Sequence, residues 1–248
     1  LSYVAKEMRR LMGRAINGYQ MIADGDRVMV AVSGGQDSIS LLWLLRERLR
    51  RIPIHYDIIG VHIDLGFSPS TAKKMEEFFI RHAFDHAIIN TTVGPCAHSD
   101  NNRENPCFLC SRFKRKAIFE KAAELKCNKV AFGHHKDDFI ETFFLNLLFA
   151  GSASTMQPVQ ELFHGSLTLI RPFYLLDETI IKGYADEMGF PVIESGCPTA
   201  GSSRRAQIKS LLTNVYHTNK KIKGNIFNAV QRLKWTRESM DSGLRTIL

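Results

Sequence analysis

The period at which apolar positions recur changes repeatedly along this chain, and the changes mark out its elements. Residues 2–22 set apolar side chains at helical spacing among scattered Lys and Arg, which predicts a basic amphipathic helix. Val28-Met29-Val30-Ala31-Val32 is a short β-branched run that reads as a buried strand, and Ile39, Leu41, Leu42, Leu45 and Leu49 return to helical spacing. The cycle repeats with a strand at Ile58 to Ile63, a helix over 70–83 and a strand from His86 to Val93. The polar, Asn-rich segment from Gly94 to Pro106 breaks the pattern and reads as a loop. Beyond it come a helix over 108–125, a strand from Lys129 to Phe132 and a helix from Asp138 to Ala150. A last strand runs from Leu167 to Phe173, and a helix over 177–188 stops near Gly189.

Strands separated by helices predict right-handed crossovers and a doubly wound, five-stranded parallel sheet of the α/β class, with helical additions at both ends. In such a sheet the ligand site lies at the carboxyl ends of the strands, near the switch in strand order. The expected organisation is a basic helix over 1–24, the sheet domain over 25–198 and a basic helical tail over 199–248.

A chain of 248 residues, 44% hydrophobic and 23% charged, can bury a sizeable core. No apolar run approaches the ~18 residues that span a bilayer. The longest candidate, Phe143 to Ala150, contains Asn146 and reads as a buried helix. Lys6, Arg9, Arg10 and Arg14 are spread along a helical pattern with no apolar core after them, unlike a signal peptide, so a cytoplasmic protein without membrane attachment is expected. The net charge of +8 implies a polyanionic partner. Its basic clusters are Arg46 to Arg51, Arg112 to Lys116, Arg204 to Lys209 and Lys220 to Lys223. Each could equally be a solvated helix face.

The first strand runs into Ser33-Gly34-Gly35-Gln36-Asp37-Ser38 and then a helix, the order an anion site requires. Two glycines let backbone N–H groups converge on an oxyanion, Ser33 and Ser38 add hydroxyl donors, and the helix dipole favours phosphate. The simpler reading is a tight turn with Asp37 or Ser38 capping the helix. Gly133-His134-His135-Lys136-Asp137-Asp138 also leaves a strand and opens a helix, with Glu141 and Thr142 one turn on. A capping box from Asp138 to Glu141 explains that string without chemistry, and a metal site is the other reading. Cys107-Phe108-Leu109-Cys110 is a C-x-x-C at the mouth of a helix, where two thiolates can face one metal or cluster. Zinc would need two more ligands, and no second C-x-x-C exists. Cys197 stands apart in a Gly/Pro-rich loop, and an odd total of five cysteines argues against a disulfide framework.

Ser33 to Ser38 resembles the S-G-G-x-D-S motif of the PP-loop ATP pyrophosphatases. The string from Gly133 to Thr142 resembles that of PP-loop enzymes acting on tRNA. With Cys107, Cys110 and Cys197 added, the chain resembles the tRNA 2-thiocytidine synthetase family from Ile22-Ala23-Asp24-Gly25-Asp26-Arg27 through Ile170-Arg171-Pro172 to Ile208-Lys209. The resemblance implies that Ser33, Gly34, Gly35, Asp37 and Ser38 grip the pyrophosphate portion of ATP, Asp37 acting with Mg²⁺ or the phosphates. Ile63 and Asp64 would lie beside the adenosine, Gly133 and His134 at the ATP site, and Asp138 near Mg²⁺ or the substrate. It further implies a 4Fe-4S cluster on the three cysteines, with one iron left for sulfur, and a tRNA whose pyrimidine C2 oxygen, most simply that of cytidine, is adenylated and replaced. The sulfur donor would be sulfide or a cysteine desulfurase system, and a homodimer is an open option. Gln36 stands where this family commonly has Lys, and the tail around Cys197-Pro198-Thr199-Ala200-Gly201 and Asn225-Ile226-Phe227 is closer to related thiolases. A 2-thiouridine synthetase, another PP-loop ligase and a non-catalytic RNA-binding protein with a structural metal are the competing readings.

Overall fold

The computed structural model describes residues 2–199, 201 and 203–233, and the chain divides into two compact units. The first comprises Leu1–His135 with Pro158–Cys197, and the second Lys136–Gln157 with Pro198–Leu248.

The first unit opens with α1 (Tyr3–Gly18), where Ser2 Oγ accepts from the Ala5 N–H and caps the helix. Ala5, Met8, Met12, Ala15 and Ile16 recur at three- and four-residue spacing on its buried face. The sheet is built from β1 (Arg27–Ala31), β2 (Asp57–Asp64), β3 (His86–Asn90), β4 (Lys129–Ala131), β5 (Val159–Leu162) and β6 (Leu167–Ile170). Its order is β3-β2-β1-β4-β6-β5. Neighbours are parallel except for the β5–β6 pair. Helices α2 (Gln36–Leu49), α3 (Pro69–Arg81), α4 (Val93–Ala97), α5 (Pro106–Glu124) and α7 (Glu178–Met188) complete this unit. The core joins Val28 and Val30 of β1 to Leu41, Leu42 and Leu45 of α2, Phe79 of α3, and Ile181 and Tyr184 of α7. The sheet departs from β1 toward β2 and β3 on one side and toward β4 and β6 on the other. The switch in strand order therefore falls between β1 and β4, which fixes the crevice at their carboxyl ends.

In the second unit α8 (Arg204–Thr218) and α9 (Ile222–Gln231) pack on α6 (Lys136–Ala150). Ile208 and Leu212 on α8, and Phe227 and Val230 on α9, are the buried positions, at the spacing of one helical stripe.

The five expected strands are all present and parallel. A sixth, β5, is added antiparallel at the edge; its four residues Val159-Gln160-Glu161-Leu162 follow Pro158 and are too short to show alternation. The segment from Gly94 to Pro106 is not wholly a loop. Its start forms α4, anchored by the Gly94 N–H on the Leu65 carbonyl at 2.8 Å. Nor is the run from Phe143 to Ala150 buried throughout: Leu147, Leu148 and Phe149 are exposed at the end of α6. The part of the predicted basic tail beyond residue 233 lies outside the described residues.

Candidate active site

The loop after β1 is held by its own serines. The Ser33 N–H donates to Ser38 Oγ at 3.1 Å, and Ser38 Oγ–H donates to the Gly35 carbonyl at 2.9 Å. The two hydroxyl oxygens lie 3.2 Å apart. Gly35, not Asp37 or Ser38, occupies the N-cap position of α2, so the capping reading of those two side chains does not hold. Asp37 lies in the first turn of the helix, where the dipole favours a bound anion. Gly34 has φ +95°, and a Cβ there would stand 2.6 Å from the Ile193 carbonyl, so only glycine lets the chain from α7 close over the loop. Gln36 turns away from the loop and donates from Nε2 to Asp186 on α7 at 3.2 Å.

The exit of β4 meets this loop directly. A Cβ on Gly133 would lie 3.1 Å from the backbone of Asp37 and Ser38, so this glycine permits the two segments to touch. His135 follows, buried, with Nε2 3.9 Å from Asp37 Oδ2. His134 stacks on Phe132, and its Nδ1 accepts from the Arg171 guanidinium at 3.3 Å. At the end of β2, Asp64 Oδ1 accepts from the Gly66 N–H and its carbonyl accepts from Thr91 Oγ1. Ile63 packs with Leu65, Phe67, Ala97 and Cys110 in a small apolar cluster.

That cluster leads to the thiols. Asn105 caps α5, its Oδ1 accepting from the Cys107 and Phe108 N–H groups at 3.0 and 3.3 Å. Cys107 is exposed and Cys110, one turn on, is buried. Burial pushes the Cys110 thiol up from its usual range, Lys114 offsets part of this, and Cys197 and Cys107 push it further up. The third thiol's loop approaches the same apolar cluster: a Cβ on Gly196, next to Cys197, would stand 3.5 Å from Phe67, which packs against the cluster that holds Cys110. His98 adds a fourth group, its Nε2 3.9 Å from Cys197 Sγ and its ring edge-on to Phe67. Cys127 is buried near the Leu125 carbonyl, and Cys96 lies on the exposed side of α4 beside Thr92.

Asp138 belongs to the second unit. Helix α6 begins at Lys136, so Asp138 is inside its first turn and the capping-box reading fails. Its carboxylate accepts from Arg205 at 3.1 Å, and the same guanidinium reaches Glu141 at 3.3 Å and Thr142 at 3.1 Å. Lys223 pairs with Asp137 at 2.5 Å. Arg205 was expected among the phosphate-contacting cluster and is instead engaged on α6. The cluster from Arg46 to Arg51 is also largely structural. Arg46 lies over the Phe84 ring at 3.6 Å, Arg48 donates to Asn17, and Arg51 and Arg9 share Glu47. Sequence reasoning missed His98 and the Arg171–His134 bond, because neither pair is close along the chain.

A family described as the PP-loop domain matches residues 4–215. The tRNA-cytidine(32) 2-sulfurtransferase of Geobacter sulfurreducens is 36% identical over 233 residues, which cover 91% of this chain and 89% of the relative. The chain belongs to the tRNA-cytidine(32) 2-sulfurtransferase family. The protein of the same name from Syntrophotalea carbinolica is 33% identical over 246 residues, covering 97% and 93% of the two chains. Among solved structures, the U34-tRNA thiolase NcsA from Methanococcus maripaludis, with its [4Fe-4S] cluster, superposes with a TM-score of 0.76. At 22% identity, covering 92% of this chain and 78% of that one, it shows a common fold. No helix among the described residues is long and apolar enough to cross a membrane.

Proposed function

We propose that this protein uses ATP to replace the C2 oxygen of a cytidine in tRNA, by the name of its relatives cytidine 32, with sulfur. What carries the reading is a phosphate-type loop at the sheet's switch point together with Cys110 and the Gly196-Cys197 loop, both of which approach Phe67 beyond the end of β2. In this reading the backbone N–H groups at the start of α2 bind the pyrophosphate portion of ATP, with Ser33 and Ser38 keeping the loop tight. Asp37, half-exposed at the same helix start, would hold Mg²⁺ against the phosphates. The base's C2 oxygen attacks the α-phosphorus and pyrophosphate leaves. A sulfur nucleophile then adds at C2, and AMP departs with the original oxygen. Neutralising phosphate charge with preorganised donors is where most of the rate gain lies. Asp138, which accepts from Arg205, is a further proposed contact for Mg²⁺ or substrate.

The donor set fits a 4Fe-4S cluster. Three cysteines with one exposed member, an apolar floor of Leu65, Ala97 and Cys110, and a nearby imidazole suit a cluster reached from solvent on one side. Cys107, Cys110 and Cys197 would be its protein ligands; no group of three or more His, Cys, Asp or Glu side chains set to hold one metal ion occurs among the described residues. Bound there, the cluster would supply an iron lacking a protein ligand, on which a sulfur nucleophile can be held. Arg112, Lys114 and Lys116 beside this site, with Arg204 and Lys209 on α8, are proposed phosphate contacts that position tRNA without reading its bases. Anaerobically reconstituted protein should contain about four irons and four sulfides per chain, lost in Cys197→Ala while ATP binding persists. Full cluster content in the mutant, or stoichiometric zinc without sulfide in the wild type, would contradict the proposed triad.

A further inference from the structure

Arg171 is the bulkiest of the fully buried side chains among the described residues, 1% exposed although charged. A guanidinium is kept inside a fold only when its N–H groups find acceptors. Its position follows from the sheet. Ala131 pairs with Ile170, and the Phe132 N–H donates to the Ile170 carbonyl at 3.0 Å, so β4 and β6 exit side by side. There Arg171 Nε–H donates to His134 Nδ1 at 3.3 Å, while the His134 ring stacks on Phe132 with centroids 5.3 Å apart and planes at 22°. The packing fixes the ring plane, and the arginine fixes which nitrogen faces it.

A guanidinium offers donors only and never loses its proton in a protein. The nitrogen it faces must present a lone pair, so the imidazole proton of His134 resides on Nε2. A proton on Nδ1 would set N–H against N–H beside a buried cation. We propose that Arg171 is a positioning residue that locks His134 as a neutral Nε2–H donor to a phosphate oxygen of bound ATP, with no part in proton transfer. General acid–base work needs a lone pair that can take up a proton, and the one on His134 is held by Arg171. A fixed neutral donor is instead suited to charge that grows on the phosphates as the α-phosphorus is attacked. The donor role rests on the ATP-site reading above; the tautomer does not.

The two parts are tested separately on the full chain. In ligand-free protein carrying ¹⁵N-labelled histidine, long-range ¹H–¹⁵N correlation reports each ring's tautomer, and His134→Gln identifies the His134 signals by their loss. The expected pattern is a bare Nδ1 and a protonated Nε2. An Nδ1–H tautomer or a doubly protonated ring would overturn the lock. Pyrophosphate release with tRNA then tests the donor. His134→Gln can accept from Arg171 through Oε1 and donate through its amide, and should stay within about tenfold of wild type. His134→Phe keeps the stack on Phe132 but has no donor, and should lose about 10²–10³-fold in kcat with little change in the KM for ATP. Equal losses in both variants, or none in His134→Phe, would overturn the donor role. Absence of pyrophosphate release from the wild type overturns the ATP-site reading and the donor role with it, while the tautomer still decides the lock.

Discussion

His62 lies on β2, 2% exposed, and its Nδ1–H donates to the carbonyl of Val32, the residue before the Ser33 loop, at 2.8 Å. Its Nε2 is buried without a hydrogen-bond partner. Burial is the largest influence and holds its pKa below the usual imidazole value of 6.5, against smaller upward pulls from the Val32 bond and Asp64. The unfolded chain therefore takes up a proton at a pH where the folded chain still resists it. The stability contributed by neutral His62 is complete above pH 6.5 and is lost as pH falls through the depressed folded value. His82, lowered mainly by burial and further by Arg46 and Arg81, adds in the same direction. The melting temperature should fall between about pH 7.5 and about pH 5, and less steeply in His62→Gln. Equal slopes in the two proteins would show that His62 is not the group responsible. At this scale the phosphate-loop residues were readable, because Ser33, Gly34, Gly35, Asp37 and Ser38 are contiguous. His62 was not: one histidine inside an apolar strand leaves no periodic mark, and its partner Val32 is reached only through the sheet. Arg171 was visible only as part of a family string, since its bond to His134 joins two strand exits 37 residues apart.

Between elements, Arg205 ties α8 to α6 through Asp138, Glu141 and Thr142. Its bond to Asp138 joins partly exposed groups and contributes at most about 1 kcal/mol. The bond to Glu141 matters more, because that carboxylate is only 7% exposed. Breaking a fully buried pair costs about 3–5 kcal/mol, and the 41% exposure of Arg205 reduces the expected loss to about 2 kcal/mol. Arg205→Met should destabilise the protein by about that amount in denaturant titrations, and adding Glu141→Gln should restore at least half. A loss below about 0.5 kcal/mol would place the tie among ordinary surface pairs. The same contact explains why the D-x-x-E spacing misled the sequence reading. Asp138 and Glu141 satisfy the pattern of a capping box, but their partner arrives from residue 205, and the helix starts two residues earlier, at Lys136. Strands with β-branched runs were legible; β5, four residues long after a proline, and α4, a single turn held by the Leu65 carbonyl, depend on contacts that spacing does not encode.

At the scale of the whole molecule, several of the basic side chains behind the +8 charge are engaged within the fold. Glu47 takes Arg9 and Arg51, Arg46 covers Phe84, and Arg205 and Lys223 hold acidic residues of α6. The proposed tRNA contacts are Arg112, Lys114 and Lys116 on α5, next to the thiols, and Arg204 and Lys209 on α8. Topology puts the first unit's chemistry in order: β1 and β4 diverge at the switch point and present the phosphate loop, while β2 ends at Asp64 beside the apolar floor of the cysteine site. The proposed activity couples these two places, ATP cleavage at one and sulfur delivery at the other. It is tested most directly by incubating anaerobically reconstituted protein with unmodified tRNA, ATP, Mg²⁺ and sulfide, then digesting the tRNA and measuring its nucleosides with the AMP formed. The account predicts 2-thiocytidine at position 32, one AMP for each sulfur inserted, and neither product with Asp37→Ala. Thiouridine in place of thiocytidine, or thiolation that proceeds without ATP, would contradict it.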